Sequence, residues 1–362
     1  MLKHRVRPIL TAFVIGLMAA LVCVQLNTPL PWIIGPLFAN AIARMSGLDL
    51  RCPIPFRQAG QWAIGTTLGL YFTPAVIGIL VNYIGVIGFS VAFALLLGAA
   101  CGWLLHKISG TDKTTAFFAM ALGGAAEMSV QGEAYGANVE RVAAAHSVRI
   151  MMVVATIPIA FRLWGVHGLD VFVPGTRDVD YGGLPLLVLL TCIGGLLLNR
   201  IRLPNAWILG PLTVAIALTY FGVRLSAMPE WIVHGGQLFI GVALGTRFTP
   251  TFLHTAPKYL ASVIVCTGIA LLLAAGFGYS LGWLSDIHPA TAILATSPGG
   301  IAEMSLTAKT LQLGVPIVTA FHVTRVAALL ILIGPMFRLV RRVRRVRRRH
   351  NGALTGSSGA SL

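Results

Sequence analysis

Apolar residues along this chain come in long, nearly unbroken runs. They lack the alternation of a half-buried strand and the narrow stripe of a surface helix. Ten runs stand out, near residues 8–26, 31–47, 58–73, 83–106 and 138–162, then 184–200, 205–223, 232–248, 258–284 and 315–338. Crossing a bilayer takes about 20 helical residues, so several runs are short and their bounds soft. The pattern predicts an all-α integral membrane protein of about ten transmembrane helices, five in each half.

The two halves are copies. Glu303 follows Glu127 by 176 positions, and at that offset Gly123, Gly124, Ala126, Met128 and Ser129 fall on Gly299, Gly300, Ala302, Met304 and Ser305. His146 and Arg149 likewise fall on His322 and Arg325, and "QWAIGTTLGLYFTP" from Gln61 on "QLFIGVALGTRFTP" from Gln237. With one residue fewer, "PLPWIIGPL" from Pro29 matches "PNAWILGPL" from Pro204. The implied organisation is a first membrane repeat over 1–169, a polar linker over 170–183, a second repeat over 184–340 and a basic, disordered tail over 341–362. The basic, apolar N-terminus also resembles a signal peptide. Its run is long enough to span and sits where the second half has its own first helix, so it is kept as a mature segment.

Composition agrees with a lipid environment: 56% of the 362 residues are hydrophobic, 10% are charged, and mean hydropathy is +0.83. A soluble domain carries about 25% charge. The net charge of +16 does not indicate nucleic acid, because eight arginines are packed between Arg338 and Arg349, just after the last apolar run. That position suits anionic lipid headgroups at a cytoplasmic surface. The five cysteines are scattered singly and suggest neither disulfides nor a metal.

Basic residues also set the expected orientation. With both termini cytoplasmic the number of crossings is even. Ten crossings place Arg44, Arg51, Arg57, Lys107, Lys113, Arg200, Arg202, Arg247 and Lys258 inside, leaving chiefly Arg162, Arg177 and Arg224 outside. Twelve crossings, with each Gly-Gly stretch spanning as a broken helix, move four of the inner charges out. Ten crossings with re-entrant Gly-Gly segments therefore fit better, and they make the repeats inverted, a pattern typical of secondary transporters.

Polar residues at membrane depth mark the candidate site. Gly123–Gly124 and Gly299–Gly300 interrupt apolar segments, and a break there frees amides at the positive end of a half-helix. Close helix packing is the plainer use of such glycines. Glu127 and Glu303 follow the breaks, as proton or cation sites or as partners of Arg149 and Arg325. His146 and Arg149 share a helix face, as do His322 and Arg325, suggesting proton relay and carboxylate binding. Ser129, Ser305, Thr307 and Gln131 are neutral donors nearby. Leu122 against Pro298, Gln131 against Thr307 and Glu133 against Lys309 break the symmetry, which suggests one composite, off-symmetric site.

The paired "GGAAEMS" and "SPGGIAEMSLTAKTLQLGVPIVTAFHVTRV", with "PWIIGPL" and "AWILGPL", resemble bacterial AbrB-family membrane proteins over essentially the whole chain. The resemblance implies membership of a cation/proton antiporter and anion transporter superfamily with inverted repeats and crossing broken helices. Family labels also include ammonia monooxygenase and regulator of gene expression. The histidines here form no copper or iron cluster, and no His-Glu-x-x-His, Cys-x-x-Cys or nucleophile elbow is present.

The expectation is a non-enzymatic, multi-pass protein of the bacterial inner membrane. It would move a small organic anion by alternating access, coupled to H⁺ or Na⁺, with no other cofactor, no metal and no nucleic-acid partner. A membrane sensor or regulator of gene expression on the same fold is the rival. The substrate, the coupling ion, the direction and any homo-oligomer are left open.

Overall fold

The computed structural model describes residues 2–166, 168, 172, 174–176, 178–249 and 257–356, without the side chains of 2–5, 126 and 339–356. All regular structure among the described residues is helical. The first half contains α1 (Leu2–Gln25), α2 (Pro31–Met45), α3 (Ile54–Gly69), α4 (Pro74–Asn82), α5 (Ile84–Ser109), α6 (Lys113–Met120), α7 (Ala125–Ala134) and α8 (Val139–Leu163). The second contains α9 (Leu184–Arg200), α10 (Ala206–Tyr220), α11 (Glu230–Gly245), α12 (Pro257–Ser285), α13 (Pro289–Thr296), α14 (Ile301–Thr310) and α15 (Val315–Gly356).

The duplication extends to helix boundaries. Both ends of α3, α6 and α7 shift by 176 residues onto α11, α13 and α14, and those of α2 shift by 175 onto α10. The N-cap residues of α2 and α10, Leu30 and Asn205, both take left-handed φ, 48° and 53°.

Each of the ten expected segments is helical, but they are not equal. Among the described residues five stretches are long and apolar enough to cross a membrane: Val6–Gln25, α5, α8, α12 and Val315–Arg338. Counting α3 and α4 as one span bent by 88° gives six. By contrast α2, α9, α10 and α11 have 15, 17, 15 and 16 residues. At 1.5 Å per residue they fall short of a hydrocarbon core of about 30 Å. Among these, α2, α10 and α11 pack against helices of the other half, α2 with α11 and α10 with α3. Large apolar side chains stand exposed on the long helices, among them Leu96, Leu163, Leu272, Trp283 and Ile331, and on the short α9, at Leu189, Leu196 and Leu197. Water would not leave so much large apolar surface uncovered.

The last helix runs on in backbone through the arginines to Gly356, where the sequence suggested a disordered tail from 341; residues 357–362 lie outside the described residues. Of the expected linker, residues 170, 171, 173 and 177 also lie outside them.

Hydrogen bonds trace the chain between two faces. Arg51 N donates to Pro8 O at 3.4 Å, so α3 starts beside the start of α1, at what we call the N-terminal face. Gly175 N reaches Leu70 O at 2.8 Å, putting the linker at the opposite, far face. There Ala227 N donates to Asp178 O and Asp180 N to Ser226 Oγ, both at 3.0 Å, so α9 and α11 start together.

Halves interleave through glycine. A Cβ on Gly60 would lie 2.5 Å from Gly236 O, and one on Gly241 would lie 2.7 Å from Ile33 O; at the matching place Gly65 abuts Ile208 O. Gly69 then abuts Leu212 and Gly245 abuts Leu37, so α3 runs alongside α10 in the same direction, and α11 alongside α2. Farther out, α5 and α12 join through Phe93 and Phe277, stacked 3.8 Å apart.

Each Gly-Gly stretch is the tip of a helical hairpin. After α7 the chain returns to the start of α6, where Asn138 N donates to Thr115 Oγ1 at 2.8 Å. After α14 it returns to α13, where Gly314 N meets Thr291 Oγ1 at 3.3 Å. The first hairpin is rooted near Tyr259, whose hydroxyl donates to Arg141 O at 2.9 Å at the start of α12. The second is rooted at the far face, where Gly168 N donates to Leu311 O at 3.0 Å.

Adding a side chain at a helix crossing should be costly. Gly241→Leu is expected to destabilise the detergent-purified protein by about 1–3 kcal/mol through overpacking. Gly85→Ala, with open space around it, should be neutral or stabilising by up to about 1 kcal/mol. Thermal unfolding checks both, and equal melting of the two variants would contradict the packing described.

Candidate functional site

A broken helix exposes backbone carbonyls at the end of its first piece, and in an apolar interior these need donors. Here α8 supplies them to α6. His146 Nε2 lies 3.0 Å from Phe118 O, Arg149 Nη1 donates to Ala121 O at 2.7 Å and Nη2 to Gly123 O at 2.8 Å. In the second half α15 does the same for α13. His322 Nε2 lies 2.9 Å from Leu294 O, Arg325 Nη1 donates to Ser297 O at 2.6 Å, and Nη2 reaches Gly299 O. The i, i+3 spacing puts ring and guanidinium on one helix face, and the guanidinium charge opposes the negative end of the half-helix. Both arginines are buried, Arg149 at 4% exposure and Arg325 at 5%.

On the other side of each break a new half-helix starts. Gly124 and Gly300 are the N-cap residues, and Glu127 and Glu303 lie in the first turns. Each carboxylate folds back over its own N-cap, so a Cβ on Gly124 or Gly300 would collide with it. Free amides and the positive end of the helix favour an anion there. Glu303 is 7% exposed, and Glu127 Oε1 accepts from Asn205 Nδ2 at 3.1 Å. Among the described residues neither glutamate makes an ion pair. The arginines expected as their partners are occupied by carbonyls.

Both tips open into one cavity of about 100 Å³. It brings together Gly123, Gly124, Glu127 and Arg149 with Gly299, Gly300, Glu303 and Arg325. The remaining expected site residues stand off its wall. His146 and His322 serve the carbonyls, Ser305 accepts from Thr319 Oγ1 at 2.9 Å, and Ser129 is buried with no hydrogen-bond partner for its Oγ among the described residues. Of the other neutral donors, Thr307 Oγ1 donates back to Glu303 O at 2.8 Å and Gln131 Nε2 to Leu330 O at 3.3 Å. In the first half Arg149 Nη2 also donates to His146 Nδ1 at 2.9 Å, so that ring gives its proton to Phe118 O.

Sequence reasoning missed Arg57, Gln61, Asn205 and Arg247, which also line the cavity. A signal for three of them was present. At the repeat offsets Arg57 stands against Val233, Asn205 against Leu30 and Arg247 against Tyr71, so each is a polar departure from an apolar or aromatic counterpart. Among the described residues no three His, Cys, Asp or Glu gather to hold a metal.

The family described as "Transition state regulatory protein AbrB" matches residues 32–341, from α2 into α15 and across both hairpins. The chain belongs to the AbrB family. Its relatives include "Putative regulator AbrB" of Escherichia coli (strain K12), 25% identical over 325 residues, 89% of this chain and 93% of that protein. They also include "Uncharacterized protein YhjN" of Bacillus subtilis (strain 168), 26% identical over 319 residues, 83% of this chain and 82% of that one. The shared stretch covers the whole site of this AbrB-family member.

The guanidinium clamp should be measurable as stability. Arg325→Met leaves the Ser297 and Gly299 carbonyls without donors, at a cost on the order of 3 kcal/mol. Thermal unfolding in detergent should show the loss, and hydrogen exchange should rise around 297–300. Wild-type melting in this variant would remove the clamp from the account.

Proposed function

We propose that this AbrB-family protein is a secondary transporter of a small organic anion, coupled to H⁺ or Na⁺ and working by alternating access. The observation that carries the reading is the pair of hairpin tips, rooted in different parts of the fold, meeting at one cavity with an acidic residue on each. Non-helical backbone at membrane depth is tolerated where it lines a site, and half-helix N-termini suit anionic groups.

Helix directions support inverted repeats within a ten-helix arrangement. If α1 and α3 start at the N-terminal face, and α9 starts at the far face, then α3 and α10 run parallel, as the glycine contacts require. The hairpins then enter from opposite sides. The N-terminal basic residues and the arginine run in the last part of α15 fall on one face, which we assign to the cytoplasm of a bacterial inner membrane, with the arginines on anionic lipid. No catalytic step belongs to this reading.

In the proposed cycle Glu127 and Glu303 hold the N-termini of their own half-helices while ionised. Binding H⁺ or Na⁺ neutralises the carboxylate and frees those amides for the substrate anion. Arg149 and Arg325 keep the breaks open and contribute positive charge.

The name of the Escherichia coli relative favours a second reading, a regulator that binds the anion without moving it. Flux separates the two. In proteoliposomes under an imposed pH or Na⁺ gradient, at least one small carboxylate should accumulate. Glu303→Gln should lose the gradient dependence. A gradient response unchanged in Glu303→Gln removes the glutamate from coupling, and binding without flux selects the regulator.

A further inference from the structure

Beside the tip cavity lies a larger one of about 650 Å³, lined by Arg44, Arg51, Arg57 and Arg247 with Leu50 and Ile54 among its apolar walls. The two cavities share Arg57 and Arg247, which therefore stand at the neck between them. Arg51 N bonds to Pro8 O, so this vestibule lies at the N-terminal face.

The four vestibule arginines differ in what they hold. Arg44 Nη1 meets Asp49 Oδ1 at 2.8 Å and Arg51 Nη2 meets Asp49 Oδ2 at 3.2 Å, so this pair has a counter-ion. Among the described residues Arg57 and Arg247 have no ion pair, and their side chains make no hydrogen bond. Arginine is the side chain best shaped for a carboxylate, and two of them free in a pocket neck constitute an unfilled anion site.

Charge around the inner cavity leads to the same place. Arg57, Arg149, Arg247 and Arg325 face Glu127 and Glu303 there, leaving two positive charges in excess with both acids ionised. Arg149 and Arg325 are buried, and the Nε of each has no partner although the Nη atoms are bound to carbonyls. A single carboxylate at the hairpin tips would balance at most half of that excess, which grows when H⁺ or Na⁺ neutralises either acid. A cavity of 100 Å³ has the volume of about three waters at roughly 30 Å³ each, room for one carboxylate, so a second acidic group on the same molecule would reach out into the neck.

We propose that Arg57 and Arg247 bind a second acidic group of the substrate, so that the anion taken from the N-terminal-face vestibule is a small dicarboxylate. One carboxylate lies between the hairpin tips, and the other lies in the neck between Arg57 and Arg247. Neither arginine has an arginine at the matching position of the other repeat, so this subsite exists on one side only. The inference rests on the anion reading above and narrows it.

The test uses the full chain in detergent and follows thermal protection by straight-chain dicarboxylates of two to six carbons. Matched monocarboxylates and sulfate are run alongside. At least one dicarboxylate should half-saturate at about tenfold or more below its monocarboxylate, the ratio one charge-assisted contact supplies. Arg57→Gln and Arg247→Gln should each shrink that ratio to about twofold while monocarboxylate protection persists. If a glutamine variant does not fold, judged by its melting without ligand, the lysine variant at the same position replaces it, and partial loss is expected because the bidentate fork is gone.

Equal protection by mono- and dicarboxylates overturns the dicarboxylate inference and leaves the anion reading standing. A preference unchanged in both variants removes the arginine pair. Protection by sulfate as strong as by the best dicarboxylate reduces the neck to a site for any dianion and overturns the two-carboxylate assignment. Absence of protection by every anion, in wild-type protein that melts cooperatively, defeats the anion reading itself.

Discussion

Unpaired carbonyls at the end of a half-helix, deep in an apolar chain, are the constraint on which the rest depends. Hydrogen bonds they lose have no water to replace them, so a break of this kind survives only with donors built in. The His-x-x-Arg pair on α8 and its copy on α15 provide three such donors each. Arginine serves where lysine would not, because its planar fork reaches two carbonyls at once and stays charged. Once the carbonyls are held, the chain can turn at glycine and start a second half-helix whose amides face the cavity. The glutamates, the N-caps and the cavity follow from that.

Close packing of the halves supports this arrangement. Gly60 against Gly236, and Gly65 and Gly241 against the backbone of the other half, let short helices cross where side chains would hold them apart. The short α2, α10 and α11 then pack against helices of the other half, while α5, α8, α9, α12 and α15 present large apolar side chains outward. A site in such an interior is nearly symmetric by construction. What differs between its sides rests on a few substitutions, Arg57, Asn205 and Arg247 against Val233, Leu30 and Tyr71.

Most of the skeleton was legible in the sequence. Residue offsets of 176 and 175 anticipated the helix boundaries, because duplicated sequence places its glycines, prolines and caps at matching positions. The Gly-Gly breaks were legible too, since the glycine pair recurs in both copies and an acid follows it each time. The sequence was less informative about partners. Glu127 and Arg149 share a repeat and opposite charges, so an ion pair was a natural expectation, yet the guanidinium goes to the carbonyls of Ala121 and Gly123. Carbonyls carry no identity in a sequence, so their demand for donors could not be read there. For the same reason the contacts of the histidines with the carbonyls of Phe118 and Leu294 could not be read there.

By itself, then, the chain determined an all-helical, duplicated membrane protein with two interrupted segments, each bearing an acid and a His-x-x-Arg. Hydropathy and periodicity are local properties, and self-similarity needs only an alignment of the chain with itself. Tertiary structure decided which residues meet. It folded the breaks back as hairpins, joined their tips in one cavity and placed Arg57 and Arg247 at its neck. These residues are distant in sequence and sit in segments that read as ordinary helix ends. Only the crossing of α3, α10 and α11, set by backbone contact at glycine, brings them to the same place.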